Sequence, residues 1–196
     1  MAKRRAHLHI EGVPNPSAMK FVLDNGILAN RPYEFRSYKD AKLSPLARKI
    51  LLFGYVDRVL INRNYVTVVK KLDKGPDWKE ILLEMKILIQ DHLEANEPIL
   101  YVGVEALEHE RSNDIVISLI QNVLDKHIRP AAQEDGGDIL LDSYENGVLK
   151  LAMHGACHFC PYSKDTVLKG VEPLMRSLVP EVHTVMATEW EKLRKK

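Results

Sequence analysis

Cys157 and Cys160 are the only two cysteines in the 196-residue chain, and two residues separate them. A lone Cys-x-x-Cys with no second pair is either a redox dithiol or half of a metal site. Half a site cannot fill four coordination positions, and the simplest source of the missing donors is a second copy of the same chain. Two dyad-related copies would present four sulfurs around one point, a donor set that suits a cubane [4Fe–4S] cluster or a tetrahedral zinc. On residue chemistry a bridging metal or cluster site leads, with a redox dithiol and an unremarkable thiol pair still open behind it. His154 and His158 flank the pair. A histidine beside a strand end more often lies on the surface or supports a ligand than binds metal itself, so the cysteines alone are taken as donors.

Gln133-Glu134-Asp135-Gly136-Gly137-Asp138 gathers three acids and two glycines. The spacing is not that of a calcium loop, and one short loop offers few ligands. It reads as a helix stop and a flexible turn, with Asp138 capping or pairing locally with Arg129.

The elements that must hold the cysteines follow from the surrounding pattern. Val116, Leu119, Ile120, Val123 and His127 mark one face of a helix that should kink or end near Arg129-Pro130. Strands are expected over 139–144 and 148–153, joined by the tight turn Glu145-Asn146-Gly147. Pro161 should open a second helix with the stripe Val167, Leu168, Val171, Leu174, Met175 and Leu178, and a last short strand should cover 182–186. The order is α-β-β-α-β. It puts Cys160 at a helix N-terminus and Cys157 in the loop before it, where unpaired N–H groups and the helix dipole favour thiolate over thiol. Gly155 lets the chain turn and leaves room beside the backbone. The same loop placement implies a site near the surface.

The first half is also mixed. Two short strands flank Val13-Pro14-Asn15-Pro16. Ser44-Pro45 starts a helix with the serine as N-cap and Leu46, Ile50 and Phe53 on one face. Runs 56–61 and 65–69 form a hairpin around Asn62-Arg63-Asn64. Asp77 with Glu80 reads as a capping-box start to a helix reaching Leu93, with Ile81, Met85, Leu88 and His92 on one stripe. The segment 98–102 is an edge strand or an interdomain contact. Asp57, Asp77 and Glu80 read as turn and cap residues, so no catalytic set is expected here. The fold class is α+β, two small mixed domains over 5–103 and 112–190, with a charged linker at 104–111.

Composition excludes several classes. Twenty-eight basic and 27 acidic residues leave a net charge of +1, so no bulk field draws the chain to nucleic acid or an anionic membrane. No apolar run approaches the ~20 residues of a membrane span. Met1-Ala2-Lys3-Arg4-Arg5 leads straight into a strand-like segment without a signal-type apolar core, and two close cysteines fit a reducing compartment. A cytoplasmic location is expected.

Arg129-Pro130, Gln133, Asp135-Gly136-Gly137-Asp138, Gly155-x-Cys157-x-x-Cys160-Pro161-x-Ser163-x-x-Thr166-x-Leu168-x-Gly170 and Pro180-Glu181-Val182 closely resemble the NifU C-terminal domain over residues 112–188. Pro14-Asn15-Pro16, Lys20-Phe21, Ser44-Pro45-Leu46-Ala47 and the helix containing Trp78 look like the N-terminal domain of Nfu proteins. The whole chain thus resembles a two-domain Nfu protein. The resemblance implies a non-enzymatic scaffold or carrier holding a [4Fe–4S] cluster shared between two chains. Cys157 and Cys160 would be its ligands. A cluster-loaded homodimer would take its cargo from an upstream donor and pass it to apo iron–sulfur client proteins. His158, Phe159 and Tyr162 are bulkier than the family's usual residues, and Pro173 falls inside the expected helix. The rival readings are a thiol–disulfide oxidoreductase and a zinc-bridged interaction module.

Overall fold

The computed structural model describes residues 6–72, 75–101, 115–158, 160 and 163–188, the first six of the last segment by backbone alone. The chain divides into two compact units, 1–109 and 110–196.

The first unit is an antiparallel sheet with two helices. Its strands are β1 (Leu8–Gly12), β2 (Ala18–Leu23), β3 (Tyr33–Phe35), β4 (Val56–Ile61) and β5 (Tyr65–Lys70), in spatial order β1-β2-β5-β4-β3. A 3-10 turn (Asp40–Leu43) leads into α1 (Pro45–Ile50), and α2 (Trp78–Glu94) follows the sheet. Ser44 caps α1 as its sequence implies, accepting from the Ala47 N–H at 3.1 Å. Phe21, Val59, Ile61, Val66 and Val68 of the sheet meet Leu46, Ile50, Met85 and Ile89 of the helices in one core. Val22, Leu60 and Tyr65 form a smaller cluster, and β2, β4 and β5 are buried over most of their length.

Several expectations need correction here. α1 ends at Ile50, short of Phe53. Asp77 stands at the N-cap of α2 without a side-chain bond. The buried stripe of α2 runs through Ile89, not Leu88, because spacings of four residues from Ile81 keep to one face. Segment 98–101 is no strand. It is a strap tied to the first core by Ser44 Oγ donating to the Ile99 carbonyl (2.7 Å) and the Tyr101 N–H donating to the Leu43 carbonyl (2.9 Å).

The second unit runs α3 (Ile115–Val123), a π turn (Leu124–Ile128), α4 (Arg129–Glu134), β6 (Gly137–Glu145), β7 (Val148–Gly155), α5 (Ser163–Leu178) and β8 (Thr184–Thr188). This is the expected α-β-β-α-β order within an α+β fold. The kink foreseen at Arg129-Pro130 is the π turn. Pro130 has no N–H and crowds the preceding turn, and the Arg129 N–H bonds the Leu124 carbonyl five residues back. Asn146 (φ 51°) and Gly147 (φ 81°) are both left-handed, as a two-residue hairpin turn with right-handed strand twist requires. β6 and β7 are antiparallel, β7 and β8 parallel, and α5 makes the crossover between them. Ile120, Leu124 and Ile128 pack with Ile139, Leu149, Leu151, Met153, Val171, Met175 and Val185 in a core separate from the first. Among the described residues no helix is long and apolar enough to cross a membrane.

Candidate metal centre

The cysteines lie where β7 gives way to α5. Gly155, the last residue of β7, has φ +58° and pairs with Gly137, the first of β6. The chain then turns, with the Cys157 N–H donating to the His154 carbonyl and the His158 N–H to the Gly155 carbonyl, both at 3.2 Å. Both cysteines are thiols, not a disulfide. The expectation of a surface site fails for the chain as it stands: Cys157 is 7% and Cys160 8% exposed, and His154 and His158 are buried beside them. Cys157 belongs to the packed core, its Sγ 4.0 Å from the Ala132 carbonyl of α4.

A glycine makes that burial feasible. A Cβ on Gly137 would stand 2.2 Å from Cys157 Sγ and 2.8 Å from both the Cys157 nitrogen and the His154 carbonyl oxygen. No side chain fits there. The thiol occupies the notch instead, and the Ala156 N–H donates to the Gly136 carbonyl at 3.2 Å. Sequence reasoning gave Gly137 only a role in a flexible turn. Its packing role is written in the pairing of Gly137 with Gly155, which sequence alone does not reveal.

α5 is described from Ser163 onward, and the helix start expected at Pro161, with Cys160 at its N-terminus, falls on positions outside the described residues. Residues 159, 161 and 162, and the side chains of Ser163 and Thr166, lie outside the described residues. α5 continues through Pro173.

The acidic loop is no cation site. Asp138 is fully buried. Its carboxylate accepts from Arg129 Nε (2.8 Å), Arg129 Nη2 (3.0 Å), Gln133 Nε2 (3.0 Å) and its neighbour's N–H on Ile139 (2.8 Å). These bonds hold the Arg129 pKa above its ordinary value. The pairing of Asp138 with Arg129 is the local reading made from sequence. Among the described residues no three His, Cys, Asp or Glu side chains converge to hold a metal ion. Among the described residues Cys157 and Cys160 thus gain no third such donor, His154 and His158 included.

In the first unit Asp77 stands at the N-cap of α2 without a side-chain bond and Glu80 lies in its first turn, whereas Asp57, read as a turn or cap residue, lies within β4. Asp57 pairs with Arg58 at 2.8 Å, Asn15 Oδ1 accepts from the Ser17 N–H at 3.0 Å, and Phe21 is wholly buried.

Two small α+β units, the second with a Cys-x-x-Cys loop between a hairpin and a crossover helix, define the class of protein. Residues 8–96 match the family model described as "Scaffold protein Nfu/NifU N terminal", and residues 120–186 match "NifU-like domain". The chain belongs to the two-domain Nfu family. It is 34% identical over 188 residues to "NFU1 iron-sulfur cluster scaffold homolog, mitochondrial" of Drosophila willistoni, covering 94% of this chain and 64% of that protein. The protein of the same name in Drosophila persimilis is also 34% identical over 188 residues, with 94% and 66% covered. The chain thus spans just under two-thirds of the length of these relatives. A solved NifU-like protein of Saccharomyces cerevisiae is 22% identical, with a TM-score of 0.44 over 52% of this chain and 90% of that one. The mitochondrial names overturn the expectation of a cytoplasmic location. Reduced cysteines and a mild net charge do not distinguish one reducing compartment from another.

Proposed function

We propose that this protein is an iron–sulfur cluster scaffold whose cargo is a [4Fe–4S] cluster held between two chains by Cys157 and Cys160 of each. The observation that carries this reading is a pair of thiols with no third donor gathered among the described residues. Soft thiolates suit iron and sulfide, and four of them, two per chain, close a cubane. Burial of both thiols argues against the oxidoreductase alternative, since an attacking dithiol needs an accessible thiolate. Burial also means that the 155–160 turn must open for loading. Once two chains share the cluster, one chain's release of its grip exposes two iron positions to a client's incoming thiolates, and ligand exchange passes the cargo on. The relatives' names support iron–sulfur cargo and a mitochondrial setting for the protein.

Anaerobic reconstitution with iron and sulfide tests the assignment. Wild type should turn brown and bind both elements. Cys157→Ser or Cys160→Ser should lose stable cluster with the fold intact, because a hydroxyl is a poor substitute for a soft ligand. His158→Ala should keep most of it. A cysteine variant with full iron and sulfide content would sink the assignment, and a colourless protein holding zinc alone would favour the interaction module.

A further inference from the structure

The same carboxylate that removes the acidic loop from consideration as a cation site also fixes the geometry around the first thiol. Arg129 and Gln133 stand four residues apart, on one face of α4, and both donate to Asp138 on β6. These bonds staple a six-residue helix to the start of a strand. The staple joins the two walls around Cys157. One is the Ala132 carbonyl on α4, between the two stapling residues. The other is the notch at Gly137, next to Asp138. Through the Gly136 carbonyl, the same corner also holds the Ala156 N–H. An ion pair whose carboxylate is buried and whose guanidinium is partly buried adds little net stability over an apolar trio of equal volume, but it accepts only one arrangement.

We propose that Arg129, Gln133 and Asp138 are positioning residues for the cluster ligand Cys157: their staple keeps the α4–β6 corner closed over the thiol, and metal reaches Cys157 when that corner parts. None of the three touches cargo; they act through the cysteine. The proposal rests on the reading of Cys157 as a ligand.

The test uses the full-length, reduced apo-protein at one pH. A pulse of iodoacetamide followed by peptide mass mapping gives separate alkylation rates for Cys157 and Cys160. Asp138→Asn should raise the Cys157 rate about tenfold relative to Cys160, the scale of one lost charge-assisted hydrogen bond in a local opening equilibrium. Gln133→Ala, which deletes one neutral donor, should raise it by roughly threefold and serves if Asp138→Asn does not fold. Val185→Ala weakens the same core from β8, so it should raise both cysteines together. The proposal is overturned if the two staple variants move both cysteines in parallel, as Val185→Ala does, or move neither. Cluster uptake by wild type in the same preparation keeps the two claims apart. Uptake with an unmoved Cys157-to-Cys160 ratio defeats the staple alone, whereas no uptake with a shifted ratio defeats the scaffold reading and leaves the closed corner standing.

Discussion

At Gly137 and Gly170 the same substitution should have opposite effects. Alanine at Gly137 would drive its Cβ into a sulfur and two backbone atoms, so strand and turn must separate. Gly137→Ala should destabilise the second domain by about 1–3 kcal/mol, the usual cost of overpacking, and should lower cluster retention as the Cys157 turn is displaced. Gly170 lies exposed in α5 with nothing within 4 Å of a built Cβ, and Gly170→Ala should stabilise by about 1 kcal/mol through helix propensity. Urea denaturation of both variants checks the pair, and equal effects would mean that the notch at Gly137 is not tight. The candidate thiol pair is legible in the sequence because chemistry reads residue types and spacing directly. The notch is not, since it depends on which glycine of β6 meets which residue after β7.

Ser44 and His92 carry the argument at the level of elements, because both tie helices to the 98–101 strap. Ser44 is buried, caps α1 and also donates to the Ile99 carbonyl. Ser44→Ala should therefore cost about 2–3 kcal/mol, more than a cap alone, because the part-buried Ile99 carbonyl loses its donor as well. His92 is 1% exposed and its Nε2 lies 3.2 Å from the Pro98 carbonyl oxygen. Burial pushes its pKa below the ordinary 6.5. The unfolded chain therefore takes up a proton near 6.5 that the folded chain resists, so its stabilising effect is full above that pH and is lost as pH falls through the folded value. Protection factors of α2 amides, which correct for the slower intrinsic exchange at low pH, should fall on acidification below that point and fall less in His92→Gln; an unchanged pH slope in the variant would refute the assignment. Sequence pattern found β4, β5, the 145–147 turn and the α4 kink because each has its own local signal: runs rich in β-branched residues, a turn dipeptide, a proline. It missed β3, with three residues too few to show a period, and the strap, whose place is set by a serine 55 residues away.

Across the whole molecule, the two cores share no residue: one draws on positions up to 100, the other on positions from 116 onward. A fragment from Ser112 to Lys196 should accordingly fold alone and bind cluster, and a fragment that stays unfolded by circular dichroism would mean that the second core needs the first. We place the boundary between the domains in the charged 104–111 segment, which lies outside the described residues. The central claim is that two thiols per chain are half of a site. Cluster binding free energy is then also dimerisation free energy, so apo-protein should shift toward monomer and loaded protein toward dimer. Sedimentation equilibrium of anaerobic apo- and holo-protein, with iron and sulfide counted per chain, measures this most directly. The account predicts four irons per two chains in a dimer that dissociates when the cluster is stripped. Four irons on a strictly monomeric chain would require donors beyond Cys157 and Cys160 and would contradict it.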